Sequence, residues 1–223
     1  MLVIEKTDTQ LQQDVTNELE WDPSVTSDQI SVAAHRGIVT LRGNVPHFFE
    51  KSTALKAAQR VGGVQGVADE IEVKIMGSYE RTDEDIARAG LDALEWSYSA
   101  PKGVTVTVEK GWITLRGEVD WDHERTAAKK AVSQLMGVRG VSDELVIKAQ
   151  KSHLQPGDIK DRIDEAFRRS ALTEGNKIEV IVEGSRVTLN GKVNSFSEIG
   201  DAGVAAWFAP GVTSVENNLK LAH

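Results

Sequence analysis

Five histidines are the first candidates for chemistry in this chain: His35, His47, His123, His153 and His223. They are scattered without the short spacing of a metal-ligand set, and the chain has no cysteine to supply a thiolate. No histidine, serine or carboxylate pattern indicates a nucleophile with its base or a pair of catalytic carboxylates. The sequence therefore predicts no catalytic residue, no metal site and no cofactor, so we interpret the protein as a non-enzyme.

The densest cluster of polar side chains is Asp120-Trp121-Asp122-His123-Glu124. Its carboxylates at 122 and 124 have the chemistry to hold a cation. The segment also precedes a predicted helix, and anionic side chains at a helix start favour the helix dipole. We prefer this second interpretation, a helix N-terminal cap.

Two short segments, Gly63-Val64-Gln65-Gly66 and Gly137-Val138-Arg139-Gly140, match the Gly-x-x-Gly of a KH RNA-binding loop. A KH loop joins two helices, whereas these segments lie between a predicted helix and a predicted strand. A C-capping glycine followed by a turn is the preferred interpretation. The net charge of −8 also argues against a general nucleic-acid binder, which needs cations to neutralise phosphates.

Two tryptophans, Trp21 and Trp96, are the candidate ligand-binding residues. Both follow acidic segments at the end of a predicted helix, and Arg169 holds the same place in a third helix. A single tryptophan in this place is typical of a residue that covers its own core. A position that accepts an indole and a guanidinium, however, favours a boundary with lipid headgroups or with a protein partner. We therefore expect Trp96 to be partly exposed.

These residues are positioned by a pattern that occurs three times. Gly37-Ile38-Val39-Thr40-Leu41-Arg42-Gly43 returns 74 residues later from Gly111 and, in a more divergent form, again from Ser185. A second pattern, beginning at Gly63, Gly137 and Gly211, keeps the same period. Units of this length are longer than solenoid repeats, so each is expected to form its own core. We predict domains at residues 1–76, 80–149 and 155–223.

Each unit is predicted to contain, in order, a helix, two strands, a second helix and a third strand. Apolar residues at i, i+4 and i+8 predict the first helix, and alternating residues such as Ile30 and Val32 predict the strands. Gly-containing pairs such as Arg36-Gly37 predict tight hairpins, and Thr7-Asp8, Thr82-Asp83 and Gly157-Asp158 are predicted helix caps. The predicted fold class is α+β, with a three-stranded mixed sheet and two helices on one face in each unit.

The glycine that recurs at positions 43, 117 and 191 lies inside the second predicted strand. A strand interior usually carries a side chain, so a repeated glycine there predicts a bulge or the close approach of another element.

The Gly-x-Val-Thr-Leu-x-Gly-x-Val hairpin and the Gly-Val-x-x-Val-x-Asp-x-Leu ending, best seen at Gly137 to Leu145, resemble the BON domain of bacterial osmotically induced and nodulation proteins. The resemblance covers nearly the whole chain as three copies. It implies α-β-β-α-β units without catalytic residues, acting in envelope maintenance under osmotic stress, with phospholipid as a ligand of some members. The third copy diverges most, with Asn217-Asn218 in place of Asp-Glu.

Two functions follow as hypotheses. The first is a non-enzymatic protein of osmotic or envelope stress that binds membrane phospholipid or a protein partner through Trp21 and Trp96, with no nucleic-acid partner. The alternative is a cytoplasmic scaffolding protein that acts through protein contacts without lipid. The first residues carry no basic leader or long apolar run, which predicts a cytoplasmic location as written, or a periplasmic one if a leader has been removed.

Overall fold

A computed structural model describes residues 6–77, 80–97, 101, 103–148, 155–169 and 178–222. Each repeat contains two α-helices and one three-stranded sheet, in the order helix, strand, strand, helix, strand. The first repeat has α1 Asp8–Trp21, β1 Ile30–His35, β2 Ile38–Val45, α2 Phe48–Arg60 and β3 Gly66–Val73. The second has α3 Asp83–Trp96, β4 Thr105–Glu109, β5 Trp112–Val119, α4 Asp122–Ser133 and β6 Gly140–Ile147. The third has α5 Pro156–Arg169, β7 Ile178–Glu183, β8 Arg186–Val193, α6 Phe196–Trp207 and β9 Ser214–Leu221.

The sheets are mixed, which confirms the predicted α+β class. In the first repeat β2 is central, antiparallel to β1 and parallel to β3. The third repeat has the same arrangement about β8. A parallel pair cannot be joined by a tight hairpin, so the chain between β2 and β3 must cross over, and α2 forms that crossover.

The core of each repeat lies between its sheet and its two helices. The predicted apolar stripe of the first helix is buried in every repeat, as are the inward residues of the central strand. Small residues such as Ala57 and Ala58 line the second helix and are fully buried, so this helix packs close to the sheet. The buried residues of the three stripes are Leu11, Val15 and Leu19, then Ile86, Gly90 and Leu94, then Ile159, Ile163 and Phe167.

The first helices of the three repeats begin in two different ways, with a threonine N-cap or with a proline at the first helical position. Thr7 and Thr82 are N-caps as predicted, and Thr7 forms a complete capping box with Gln10. The prediction of a cap at Gly157-Asp158 is wrong, because α5 already begins at Pro156. Proline suits the first helical position since it has no amide hydrogen to satisfy. Asp158 therefore lies in the first turn, where its carboxylate accepts a bond from the Gln155 amide at 3.1 Å.

The aspartate after each threonine cap holds the hairpin of its own repeat. Asp8 Oδ1 accepts a hydrogen bond from the Arg36 amide at 2.7 Å. Asp83 accepts from the amides of Lys110 and Gly111 at 2.7 and 2.8 Å. Arg36 and Lys110 have φ values of 47° and 51°, which a non-glycine residue rarely adopts. The carboxylate thus fixes a strained turn at the end of the sheet.

The glycines after the second helices do not cap them directly. Helix α2 ends at Arg60, and Gly63 has a φ of 99° inside a following turn in which the Val64 amide donates to Val61 O at 3.2 Å. The glycine therefore belongs to the turn, a little beyond the cap position that the sequence predicted. The segment does join a helix to a strand, which confirms the contrast with a KH loop.

Packing divides the chain into two compact units, residues 1–117 with 123–145, and residues 118–122 with 146–223. The division into three domains at 1–76, 80–149 and 155–223 stays a prediction. Parts of both joints, 78–79 and 149–154, lie outside the described residues.

A fragment of residues 80–150 tests the three-domain prediction. It contains the complete apolar stripe and sheet of the second repeat, so we expect it to unfold in one cooperative thermal transition, followed by circular dichroism. A fragment without a transition would show that the second repeat shares its core with its neighbours.

Candidate functional site

Trp21 and Trp96 occupy the last position of α1 and of α3. Their side chains are among the most exposed apolar groups described, at 85% and 87%. The expected exposure of Trp96 is confirmed, and the alternative in which these indoles cover their own cores is wrong. The reason is geometric: the buried stripe of α1 ends at Leu19, and two residues further along a helix the side chain points away from that stripe.

Arg169 takes the equivalent place at the end of α5. Its guanidinium Nη1 lies 3.7 Å from Glu165 Oε2 one turn earlier, and its side chain is largely exposed. In all three repeats the last residue of the first helix therefore has a flat side chain with a polar end. We call the surface around this residue the corner of the repeat. Only the first two repeats present an indole.

The surroundings of Trp21 are acidic but partly neutralised. Arg60 Nη2 lies 2.9 Å from Glu18 Oε1 and 3.8 Å from Asp22 Oδ2. Hydrogen bonds from the Ser24 side chain and backbone lower the pKa of Asp22, aided by the Arg60 charge. Asp22 therefore remains charged beside the indole throughout the neutral range.

Among the described residues, the surroundings of Trp96 do not have this arrangement. Ala93, Gln134 and Ser97 stand where the first repeat has Glu18, Arg60 and Asp22. The charged residues of the last turn are the exposed Asp92 and Glu95. Trp96 is thus an exposed indole with acidic neighbours, an environment that does not attract an anionic surface.

The acidic residues of the repeated Asp-Glu motif stabilise the fold. Asp69 Oδ1 accepts the Ile71 amide at 3.0 Å, and Asp143 Oδ1 accepts the Leu145 amide at 3.2 Å. In the third repeat Asn217 makes the same bond to the Leu219 amide at 3.3 Å. An amide oxygen can replace the carboxylate here, which explains why the divergent third motif keeps the strand geometry.

The second residue of that motif pairs across the open face of the sheet. Arg42 Nε donates to Glu70 Oε2 at 2.7 Å, and Arg116 Nε donates to Glu144 Oε2 at 2.6 Å. The bond to Glu144 raises the pKa of Arg116. The third repeat has Asn190 and Asn218 in these positions. The motif therefore explains sheet pairing and supplies no reactive group.

The polar cluster 120–124 follows the end of β5 and includes the start of α4, which begins at Asp122. Within the residues that the structure describes, no group of three or more His, Cys, Asp or Glu side chains is placed to hold a metal ion. His153 and His223 lie outside those residues. His35 contacts the hairpin-holding carboxylate, with Nδ1 3.3 Å from Asp8 Oδ2.

Two glutamates at the start of the other second helices have structural roles that the sequence analysis did not assign. Glutamate recurs at 50, 124 and 198, in the first turn of each second helix. Glu50 is only 4% exposed, and its Oε1 accepts the Thr26 amide at 2.8 Å. Glu198 Oε2 accepts the Asn194 amide at 2.8 Å. The regular 74-residue spacing of these glutamates was the signal that could have found them.

Other apolar side chains are also exposed. Trp112 is on the open face of its sheet, where the indole Nε1 donates to Ser142 Oγ at 2.9 Å. Val204 and Phe208 are exposed on and just beyond α6. Among the described residues, no helix is long and apolar enough to cross a bilayer.

A comparison of the sequence with protein-family models agrees with this fold and with the repeated motifs. The BON domain matches three times, at residues 7–75, 82–149 and 157–223. The chain belongs to the BON domain family, as three tandem copies of a non-catalytic binding module. The resemblance inferred from the sequence is thereby confirmed.

The other comparisons add less. None of the curated proteins compared with the chain matches it. Two solved chains of CdsD, described as a structural protein of the type III secretion system of Chlamydia trachomatis, are 14% identical to it, with TM-scores of 0.27. One alignment covers 94% of this chain and 91% of the other, and the second, with the CdsD C-terminal domain, covers 99% and 100%. A similarity of this size carries no inference about function.

Proposed function

We propose that this protein is a non-enzymatic binding protein that contacts phospholipid through Trp21 and Trp96. The observation that carries the proposal is the exposure of both indoles at the same corner of two repeats. Transfer of so large an apolar side chain from water to the surface of a ligand is favourable, and in the folded monomer both indoles remain in water. An indole also has a polar N–H, which suits the boundary between headgroups and acyl chains.

The charges around the indoles select the lipid. Asp22 and Glu95 flank the two tryptophans, and the whole chain carries a net charge of −8. An anionic surface would repel this corner, so a zwitterionic surface is the favoured ligand. The link to osmotic or envelope stress is proposed from the family resemblance, and fractionation of the native protein after osmotic shock tests it.

Co-sedimentation with vesicles tests the lipid. We expect the protein to bind phosphatidylcholine vesicles with little change up to about 0.5 M salt, because contacts of the indoles are not ionic. Adding phosphatidylglycerol should weaken binding at low salt through charge repulsion. Binding that needs phosphatidylglycerol and disappears with salt would contradict the proposed selectivity, and no binding to either vesicle would exclude phospholipid.

A protein partner is the second candidate, favoured by the acidic flank of both indoles. Tryptophan anchors surrounded by charge are typical of the centre and rim of protein interfaces, and a basic partner would complement Asp22, Asp92 and Glu95. A photo-reactive residue at position 96 should then form a defined protein adduct in cells, while the same residue at position 91 should not. Equal labelling from both positions would argue against this candidate.

A further inference from the structure

The second helix of the third repeat carries an apolar stripe on its outer side. Gly200, Val204 and Phe208 follow one another at intervals of four residues, which places them on one face. Val204 is 51% exposed and Phe208 is 72% exposed. Phe208 has helical backbone angles at the end of α6, so it continues the stripe.

The other two repeats show that the fold does not require this stripe. Polar or basic side chains hold the same three places along or just after their second helices: Ser52, Lys56 and Arg60, then Thr126, Lys130 and Gln134. The core-facing positions are small or apolar in all three helices, with Ala54, Ala128 and Ala202 buried alike. The change in α6 is therefore confined to its outer face, and it leaves apolar surface that folding of the repeat does not use.

We propose that this stripe is a self-association surface, on which α6 of a second copy of the chain packs antiparallel about a two-fold axis through Val204. A two-fold contact brings each position against its mirror position around the centre. Val204 would meet Val204 of the second copy, and Phe208, four residues after the centre, would meet Gly200, four residues before it. The dimer would therefore contain two equivalent contacts, in each of which Phe208, the largest side chain of the stripe, packs on Gly200, its smallest residue.

The space at Gly200 fits this pairing. A Cβ built on Gly200 meets no atom within 4 Å, so the surface above it is open to receive the Phe208 ring of the second copy. Gly200 and Phe208 are eight residues apart, or about 12 Å along the helix axis. At each end of the contact, the Phe208 ring of one copy would therefore lie over Gly200 of the other. This arrangement fits ridges-into-grooves packing of two helices.

Charge and size are consistent with a weak homodimer. The two charged residues of α6, Glu198 and Asp201, are both acidic, which disfavours an anionic membrane as the occupant. In the antiparallel pair the two Asp201 residues are about 9 Å apart along the axis and do not touch. A single helix face buries less than the roughly 1,200 Å² of a stable interface, so we expect a dissociation constant of about 0.1–1 mM.

Sedimentation velocity of the full chain over a concentration series tests the proposal. The wild-type chain should shift from monomer to dimer as its concentration approaches the millimolar range. Val204→Lys introduces the residue that the other repeats have at this place, and it should weaken association by about tenfold or more. Leu91→Lys, at an exposed apolar residue of α3, is the matched control and should leave association unchanged.

A compensating pair tests the antiparallel register. Gly200→Phe should block association, because two phenylalanines then meet at each end of the contact. Adding Phe208→Ala should restore it, because large and small residues have exchanged places.

Three outcomes would overturn the proposal: a wild-type chain that stays monomeric at about 1 mM, association that persists in Val204→Lys, or no rescue by the second substitution. Loss of vesicle binding in Val204→Lys with no dimer in the wild type would assign the stripe to lipid. Circular dichroism confirms that each variant is folded, so that a lost dimer is not mistaken for a lost repeat.

Discussion

Replacing Gly43 by valine should remove about 3–5 kcal/mol from the stability of the first repeat. A Cβ at position 43 would stand 2.0 Å from the backbone oxygen of Gln29, far inside contact distance. The residue also has a φ of 155°, in a region that side chains rarely adopt. Overpacking and backbone strain each cost about 1–3 kcal/mol, and neither the Gln29 carbonyl nor the paired Ile30 is a flexible group that can move aside.

The same substitution at Gly117 should cost less. Its φ is 140°, but the nearest backbone oxygen, that of Gly103, would be 3.1 Å from the added Cβ. We expect a loss of about 1–3 kcal/mol, visible as a lower thermal midpoint.

Hydrogen exchange at the Leu41 amide measures the first effect in the full chain, since Leu41 is fully buried in β2. Gly62→Ala is the matched control, because a Cβ there meets no atom within 4 Å and the change should stay within about 0.5 kcal/mol. Unchanged protection in Gly43→Val would mean that β1 does not pack against β2 as described.

Removing both indoles should abolish most binding while leaving the fold intact. Trp21→Ala with Trp96→Ala deletes the two exposed rings at the proposed contact, and each anchor of this kind contributes about 2 kcal/mol or more to an interface. We therefore expect vesicle affinity to fall by at least about 100-fold. The thermal midpoint should change little, because an exposed ring contributes far less than the roughly 3–5 kcal/mol of a buried tryptophan.

Trp112→Ala is the control for a general loss of aromatic surface. Trp112 is half exposed on a sheet face away from the helix ends and should leave vesicle affinity unchanged. A double variant that melts much earlier but still binds would return Trp21 and Trp96 to a structural role.

Much of the fold could be predicted because local patterns determine it. The stripe Leu11, Val15 and Leu19 predicts a helix with one buried face, and β2 alternates so that Val39 and Leu41 are buried. Both patterns follow from the periods of the two structures, 3.6 and 2 residues. Each of these two patterns occurs in all three repeats, which supports its interpretation.

Features that depend on tertiary contacts could not be predicted in the same way. Asp8 looks like part of a helix cap in the sequence, but its carboxylate holds a turn 28 residues further along. The close approach predicted at Gly43 is confirmed, but the approaching group, the Gln29 carbonyl, lies on a segment whose path the sequence does not reveal.

The candidate site was partly predictable for the same reason. The matching of Trp21, Trp96 and Arg169 indicated an exposed position, because indole and guanidinium share a boundary preference. The α6 stripe was missed because its meaning appears only when Gly200, Val204 and Phe208 are set beside their counterparts in the other repeats.

Quenching of tryptophan fluorescence by brominated phosphatidylcholine tests the central claim most directly. Bromine quenches only rings that reach the lipid, so vesicles of brominated lipid should dim wild-type emission. The variant Trp21→Phe with Trp96→Phe keeps Trp112, Trp121 and Trp207 as reporters and should show almost no quenching. Equal quenching of the wild-type chain and the variant would show that the lipid contacts another part of the molecule, and no quenching of either would contradict phospholipid binding.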